Sequence, residues 1–431
     1  MAAQKTARQA GGYRWLVFAL LALAYLLVYF HRTSPAVVAK DMMRDLGAGE
    51  ALMGFLASAY FYPYAVMQLP AGLLADSWGP RRTITIFFVL AGAASIFFGL
   101  AESAATAVVA RVLVGLGLSM LFVSTMKILT RWFRLGEFAF MTGILIAVGG
   151  LGVLVAAGPL AYLSKVLGWR GSFMAIGGVT LALAAAIWFL VRNAPEEMGF
   201  APAEALPAGG AAPRLGLWRG VAMVLGSGRF WPLAIWYFFT CGIFFSFVGL
   251  WGGPFLMDIY GMDKTAAGGV LNMAAVAMIA GSPALSWLSD RMLKSRKKVL
   301  ILASVAMVLL ALPLCFYTSR MGVFGLYVWC FLLSLFSSAI VTVGFTTAKE
   351  LFPVAMAGTA VGLINLFPFL GGAVMQPLVG WLLQIQGKVD GRYTPEAYAQ
   401  AFMIFLAASV VALVASLFLK ETVGFQPPES A

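Results

Sequence analysis

Charge is what this sequence has least of. Asp, Glu, Lys and Arg make up 11% of its 431 residues, against roughly 25% in a soluble globular domain, which excludes a chain solvated mainly by water. Histidine occurs once and cysteine three times, and Cys241, Cys315 and Cys330 all lie in apolar runs. That placement builds no metal-ligand cluster, so the thiols read as small hydrophobes. No nucleophile, metal or nucleotide-binding motif is present, which argues against an enzyme and against self-contained ATP drive. Neither a metal nor a cofactor is expected.

What the chain has in abundance is apolar surface: 62% hydrophobic residues and a mean hydropathy of +0.92. A hydrocarbon core about 30 Å thick takes roughly 20 apolar residues at 1.5 Å rise. Twelve runs of that kind occur, at 15–38, 52–75, 84–101, 105–133, 138–163, 172–191, 231–257, 266–289, 299–318, 322–348, 357–382 and 398–419. They predict an all-α polytopic membrane protein embedded in a lipid bilayer. Pro63, Pro70, Pro159, Pro254, Pro283, Pro368 and Pro377 fall inside these runs, where neighbouring helices satisfy the backbone groups that proline frees. The first run is too long for a signal-peptide core, and Val37-Val38-Ala39 is a poor cleavage site.

Between 192 and 229 the apolar pattern gives way to Ala, Pro and Gly, including Pro202, Pro207, Gly209, Gly210 and Pro213. This linker separates residues 1–191 from residues 230–431, six predicted helices on each side. Its end, from Leu215 to Leu225 with Trp218, fits either an interfacial helix or a plain tether. Lys and Arg flanking the runs concentrate on one side, which places both termini in the cytoplasm. The net charge of +12 is this bias plus a few intramembrane cations, not a nucleic-acid footprint.

Two motifs recur half a chain apart. Asp76 with Arg81-Arg82 is echoed by Asp290-Arg291 with Lys297-Lys298, and Arg131-Trp132-Phe133 leading to Thr142-Gly143 is echoed by Glu350-Leu351-Phe352 leading to Gly358-Thr359. Repeats in register predict two pseudo-symmetric halves.

Ionisable side chains deep in lipid are costly and are functional candidates by default. Arg32, Arg111 and Lys127 qualify, and no Asp or Glu falls well inside any run. Unpaired positive charge in the membrane favours an anionic ligand. Arg32 either binds substrate or snorkels to the outer interface; Lys127 either faces the cavity or snorkels to the cytoplasm. Tyr29 lies near the face of Arg32. Tyr60, Tyr64 and Gln68 share one helical face at four-residue spacing, and Tyr237, Asn272 and Asn365 are further polar candidates, each equally able to serve as helix-helix contact. His31, beside Arg32, titrates near neutrality and is the proton-coupling candidate.

The stretch Gly72-Leu73-Leu74-Ala75-Asp76-Ser77-Trp78-Gly79-Pro80-Arg81-Arg82 resembles the second-helix signature of the major facilitator superfamily, and Arg111 with Gly115 and Gly117 resembles its fourth-helix pattern. The resemblance implies two six-helix bundles, a substrate site between them near mid-membrane, and alternating access. Gly72, Asp76, Gly79, Arg81 and Arg82, with Asp290 and Arg291 in the repeat, form either a conformational latch between the halves or cytoplasmic anchors that enforce topology, and the resemblance makes Arg111 a structural or coupling residue. Tyr29-Phe30-His31-Arg32-Thr33-Ser34 is similar to the first-helix motif of anion:cation symporters, with His31 where Asp is usual, and to the Tyr-x-x-Arg of organophosphate:phosphate antiporters. Asn193-Ala194-Pro195-Glu196-Glu197-Met198-Gly199 resembles a segment of the same families.

The expected function is secondary transport of a small organic anion, a carboxylate or organophosphate, coupled to H+ or Na+ or to exchange, by a monomer in a bacterial inner membrane. Two alternatives stand beside it. Gly158-Pro159 resembles part of a drug-exporter signature, although Tyr162 and Leu163 replace its trailing glycines. A transporter-like metabolite sensor is the other.

Overall fold

A computed structural model describes residues 7–201, 217–339 and 343–423. Almost all of these are helical; the β structure among them is one bridge, Val389 to Arg392. Among the described residues, nine helices are long and apolar enough to cross a membrane alone. The remaining crossings are hidden by how the helices break. The fifth and sixth run together as Phe140–Leu190 and turn back at Gly168, whose φ of 67° is open to glycine without strain. The second is delivered as Glu50–Ser58, Phe61–Val66 and Gln68–Ser77. The tenth comprises Val323–Ser337 and Phe345–Glu350, on either side of residues 340–342, which lie outside the described set.

The first span differs from its expected end at residue 38. Helix Ala7–Thr33 passes Ser34 and resumes as Pro35–Leu46, closing at Gly47 in the left-handed conformation. Proline at the first position of the new segment has the φ a helix needs but no N–H to donate.

The described chain begins and ends, at Ala7 and Val423, on one face of the molecule. There Arg14 pairs with Glu137, Arg131 with Glu196, and Arg296 with Asp290 and Glu350. Each of these pairs lies within one half of the chain. The opposite, distal face is different. Lys40 pairs with Asp258, Lys264 with Asp41, Lys388 with Glu50 at 2.7 Å and Lys165 with Asp263 at 3.2 Å. All four join the first half to the second. Backbone contact tightens the same face: a Cβ on Gly253 would stand 1.8 Å from the carbonyl oxygen of Ala36, so only glycine lets the seventh span approach the first so closely. The distal face is closed.

On the terminal face, one side-chain hydrogen bond between described residues crosses the halves, from Asn365 Nδ2 to Gln68 Oε1 at 2.7 Å. Of the residues expected to form a latch, Arg81 and Asp290 have contacts within their own halves, Asp290 with Arg296. Arg81 donates through its backbone N–H to Asn193 Oδ1 at 2.8 Å and lies over the Trp188 ring; Arg82 and Arg291 are exposed. Gly79, with φ 83°, makes the turn that lets Pro80 start the third span. The side chains of Asp76 and Trp218, and residues 202–216 of the linker, lie outside the described residues.

Candidate functional site

Arg32 is the centre of the site. It is 4% exposed, and its guanidinium carbon lies 4.7 Å from the Tyr29 ring centroid, 4.6 Å from Tyr64 and 4.9 Å from Phe369. The first, second and eleventh spans each supply one wall. Tyr60 stacks on Tyr64 at 5.5 Å, Tyr25 meets Tyr29 edge-on at 5.4 Å, and Phe369 touches Tyr64 at 4.3 Å. Each ring face contributes on the order of 2 kcal/mol to a desolvated cation, and none neutralises its charge. Arg32 makes no ion pair with a described residue, and Arg32 Nε and Tyr60 Oη are buried without a hydrogen-bond partner. The cage is a cation with open donors.

The Tyr60, Tyr64, Gln68 stripe lies as its spacing implies, at the contact between the halves. Gln68 donates to the carbonyl of Tyr64 at 2.9 Å and accepts from Asn365, one helical turn from the cage. Phe369 escaped the sequence reading, because an aromatic in an apolar run has no mark that separates a cage wall from packing.

Other candidates fall elsewhere. His31 is adjacent in sequence but points about a third of a turn away, between Phe30 and Phe173, with both ring nitrogens unpartnered. It does not join Arg32. Lys127 donates to the carbonyl of Gly72 at 2.7 Å, tying the fourth span to the second on the terminal side of the cage. Tyr237 packs against Phe345 of the tenth span. Asn272 stands at the crossing of the fifth and eighth spans, where a Cβ on Gly158 would meet it at 3.1 Å.

Arg111 is held by backbone carbonyls. Pro35 cannot donate to the carbonyl four residues before it, that of His31, and Arg111 supplies the missing donors from both terminal nitrogens at 3.1 and 3.2 Å, with a further bond to Ala57 at 3.4 Å. Gly115 lets the fourth span close on the second, since a Cβ there would lie 2.1 Å from the Tyr60 carbonyl oxygen.

A bundle of membrane-crossing helices whose halves meet around a buried cation with no ion pair among the described residues, joined by four ion pairs at one face, defines a polytopic transporter closed on its distal side. The sequence pattern of the Major Facilitator Superfamily matches residues 21–375 and again 253–430, and the chain belongs to that superfamily. It is a membrane transporter and not an enzyme. It is 24% identical over 436 residues, 96% of each chain, to a probable sulfoacetate transporter of Cupriavidus necator. It is 23% identical to a probable galactarate/D-glucarate transporter of Escherichia coli, over 90% of this chain and 91% of the relative. A D-galactonate transporter of Escherichia coli is also 23% identical, over 95% and 97%. In structure it matches a bacterial homologue of the human lysosomal transporter Spinster, inward-facing and unoccupied, with a TM-score of 0.74 at 19% identity over 94% and 97% of the two chains.

Proposed function

We propose that this chain moves a small organic anion, a carboxylate or sulfonate, across a bacterial inner membrane by alternating access. Residues 1–191 and 230–431 act as the two moving bodies, the segment 192–229 tethers them, and the terminal face is cytoplasmic. The observation that carries the reading is Arg32: buried to 4% exposure, caged by rings and without an ion pair among the described residues. A desolvated guanidinium with open donors is relieved most by a bidentate oxyanion. Transporters of glucarate, galactonate and sulfoacetate among its relatives support the same substrate class.

The asymmetry of the gates among the described residues, one neutral amide pair on the terminal side against four ion pairs at the distal face, supports a resting state open to the terminal side. The test is a thermal-shift screen of purified protein against D-glucarate, D-galactonate and sulfoacetate. At least one is expected to raise the melting temperature of the wild type and to leave Arg32→Ala unmoved; equal stabilisation of both proteins contradicts the assignment.

A further inference from the structure

The distal face holds a cavity that the transport site does not use. It encloses about 350 Å³ between the two halves and is lined by Lys40, Arg44, Lys388 and Arg392 against only two carboxylates, Glu50 and Asp258. Both carboxylates are already engaged: Glu50 with Lys388, and Asp258 with Lys40 and the Tyr398 hydroxyl. Arg44 leans on Asp41 and Asp45. Arg392 has no ion pair among the described residues.

The wall that carries Arg392 is built rigidly. Residues Val389 and Arg392 exchange backbone hydrogen bonds at 2.9 and 3.0 Å around Asp390 and Gly391, whose φ angles are 49° and 77°. Positive φ at both central residues is the tight hairpin turn that Asp-Gly favours. The hairpin presents Lys388, Gly391, Arg392 and Tyr393 to the cavity, while Asp390 is not part of its lining.

We infer that this cavity is an anion-binding vestibule, which takes a small carboxylate or sulfonate between Arg392 and Lys388 directly above the closed distal gate. Its volume suits a six-carbon sugar acid. With the other lining cations paired, Arg392 is the cation in the recess without an ion pair among the described residues, and a positive charge in a recess raises the local concentration of anions, so the occupant waits where the pathway will next open. The inference takes the identity of its ligand from the proposed substrate class, but its charge preference is measurable without transport.

The test places a thiol on the lining, Met43→Cys, in protein reconstituted in nanodiscs so that both faces are reachable. Cys241, Cys315 and Cys330 are buried, and the unsubstituted chain serves as the blank. Labelling rates are compared for an anionic and a cationic methanethiosulfonate, each divided by its rate with a free thiol. The vestibule predicts an anionic preference of about ten-fold at moderate salt, falling about three-fold in Arg392→Gln, whose side chain holds no gate pair. Millimolar D-glucarate, D-galactonate or sulfoacetate should slow labelling by both reagents in Met43→Cys and not when Arg392→Gln is added. No preference, a preference untouched by Arg392→Gln, or protection no better than sodium chloride at equal ionic strength each overturns the vestibule. A protein with the preference and the protection that moves none of the three anions refutes the transport reading and leaves the vestibule standing.

Discussion

Arg111 donates both terminal guanidinium nitrogens to the carbonyl oxygen of His31, at 3.1 and 3.2 Å, the one acceptor in that turn which Pro35 deprives of its helical partner. The break in the first span and the buried arginine of the fourth are therefore a single device. Removing the arginine leaves that buried carbonyl with only the long 3.5 Å bond from Ser34 Oγ, a cost of about 1–3 kcal/mol. Arg111→Leu should lower the melting temperature and the yield of monodisperse protein. Adding Pro35→Ala, which restores the N–H, should recover part of the loss; strictly additive effects in the double-mutant cycle contradict the pairing.

Gly253 sets how far the distal face closes. A Cβ placed 1.8 Å from the Ala36 carbonyl oxygen cannot be accommodated without separating the seventh span from the first. Gly253→Ala should shift the population toward an open distal face, seen as a longer spin-label distance between the halves there. An unchanged distance distribution would refute the glycine's role as the closing contact.

The hydrogen bond from Asn365 to Gln68 is the neutral counterpart on the terminal face. Losing it removes roughly 1 kcal/mol of cross-half attraction. Asn365→Leu and Gln68→Leu should each open that face further, and the double substitution should add little to either. Spin-label distances on the terminal side provide the measurement, and independent, summed shifts count against the bond.

At the end of the last span, Glu421 accepts from Ser295 Oγ and from the backbone N–H groups of Arg296, Thr422 and Val423. Burial alone would push its carboxyl up, but the donors of Ser295, Val423, Arg296 and Thr422 outweigh burial and hold it below the ordinary glutamate range. A carboxyl depressed in the folded state contributes stability that is fully present above its unfolded pKa and lost as pH falls through the folded one. Wild type should therefore lose more melting temperature than Glu421→Gln between pH 6 and about pH 3. Parallel curves would exclude the clamp.

The spans were legible in the sequence because run length is a local property, and Arg32 stood out as a charge where lipid forbids it; the glycines that close the packing were not, since Gly72 meets nothing within 4 Å while Gly253 meets Ala36. The partners were not. His31 adjoins Arg32 in sequence, yet helical pitch turns it toward Phe173, and Arg111 finds its acceptor 80 residues away. Lys40, Asp41, Glu50 and Asp258 read as ordinary charges at helix ends, since nothing local says that they meet across the halves. The first span ends at residue 38 in the sequence because charge begins at Lys40 and Asp41, whereas the helix carries those charges on to Leu46. Asp390-Gly391 carries a hairpin signal in the loop between the last two spans.

The most direct measurement of the central claim is uptake of labelled D-glucarate, D-galactonate and sulfoacetate into proteoliposomes holding wild type, Arg32→Lys or Arg32→Ala, each verified as folded and inserted. The account predicts that wild type accumulates at least one of the three and that both variants lose that uptake, because lysine keeps the charge but not the planar fork. Uptake by Arg32→Ala at the wild-type rate would contradict it.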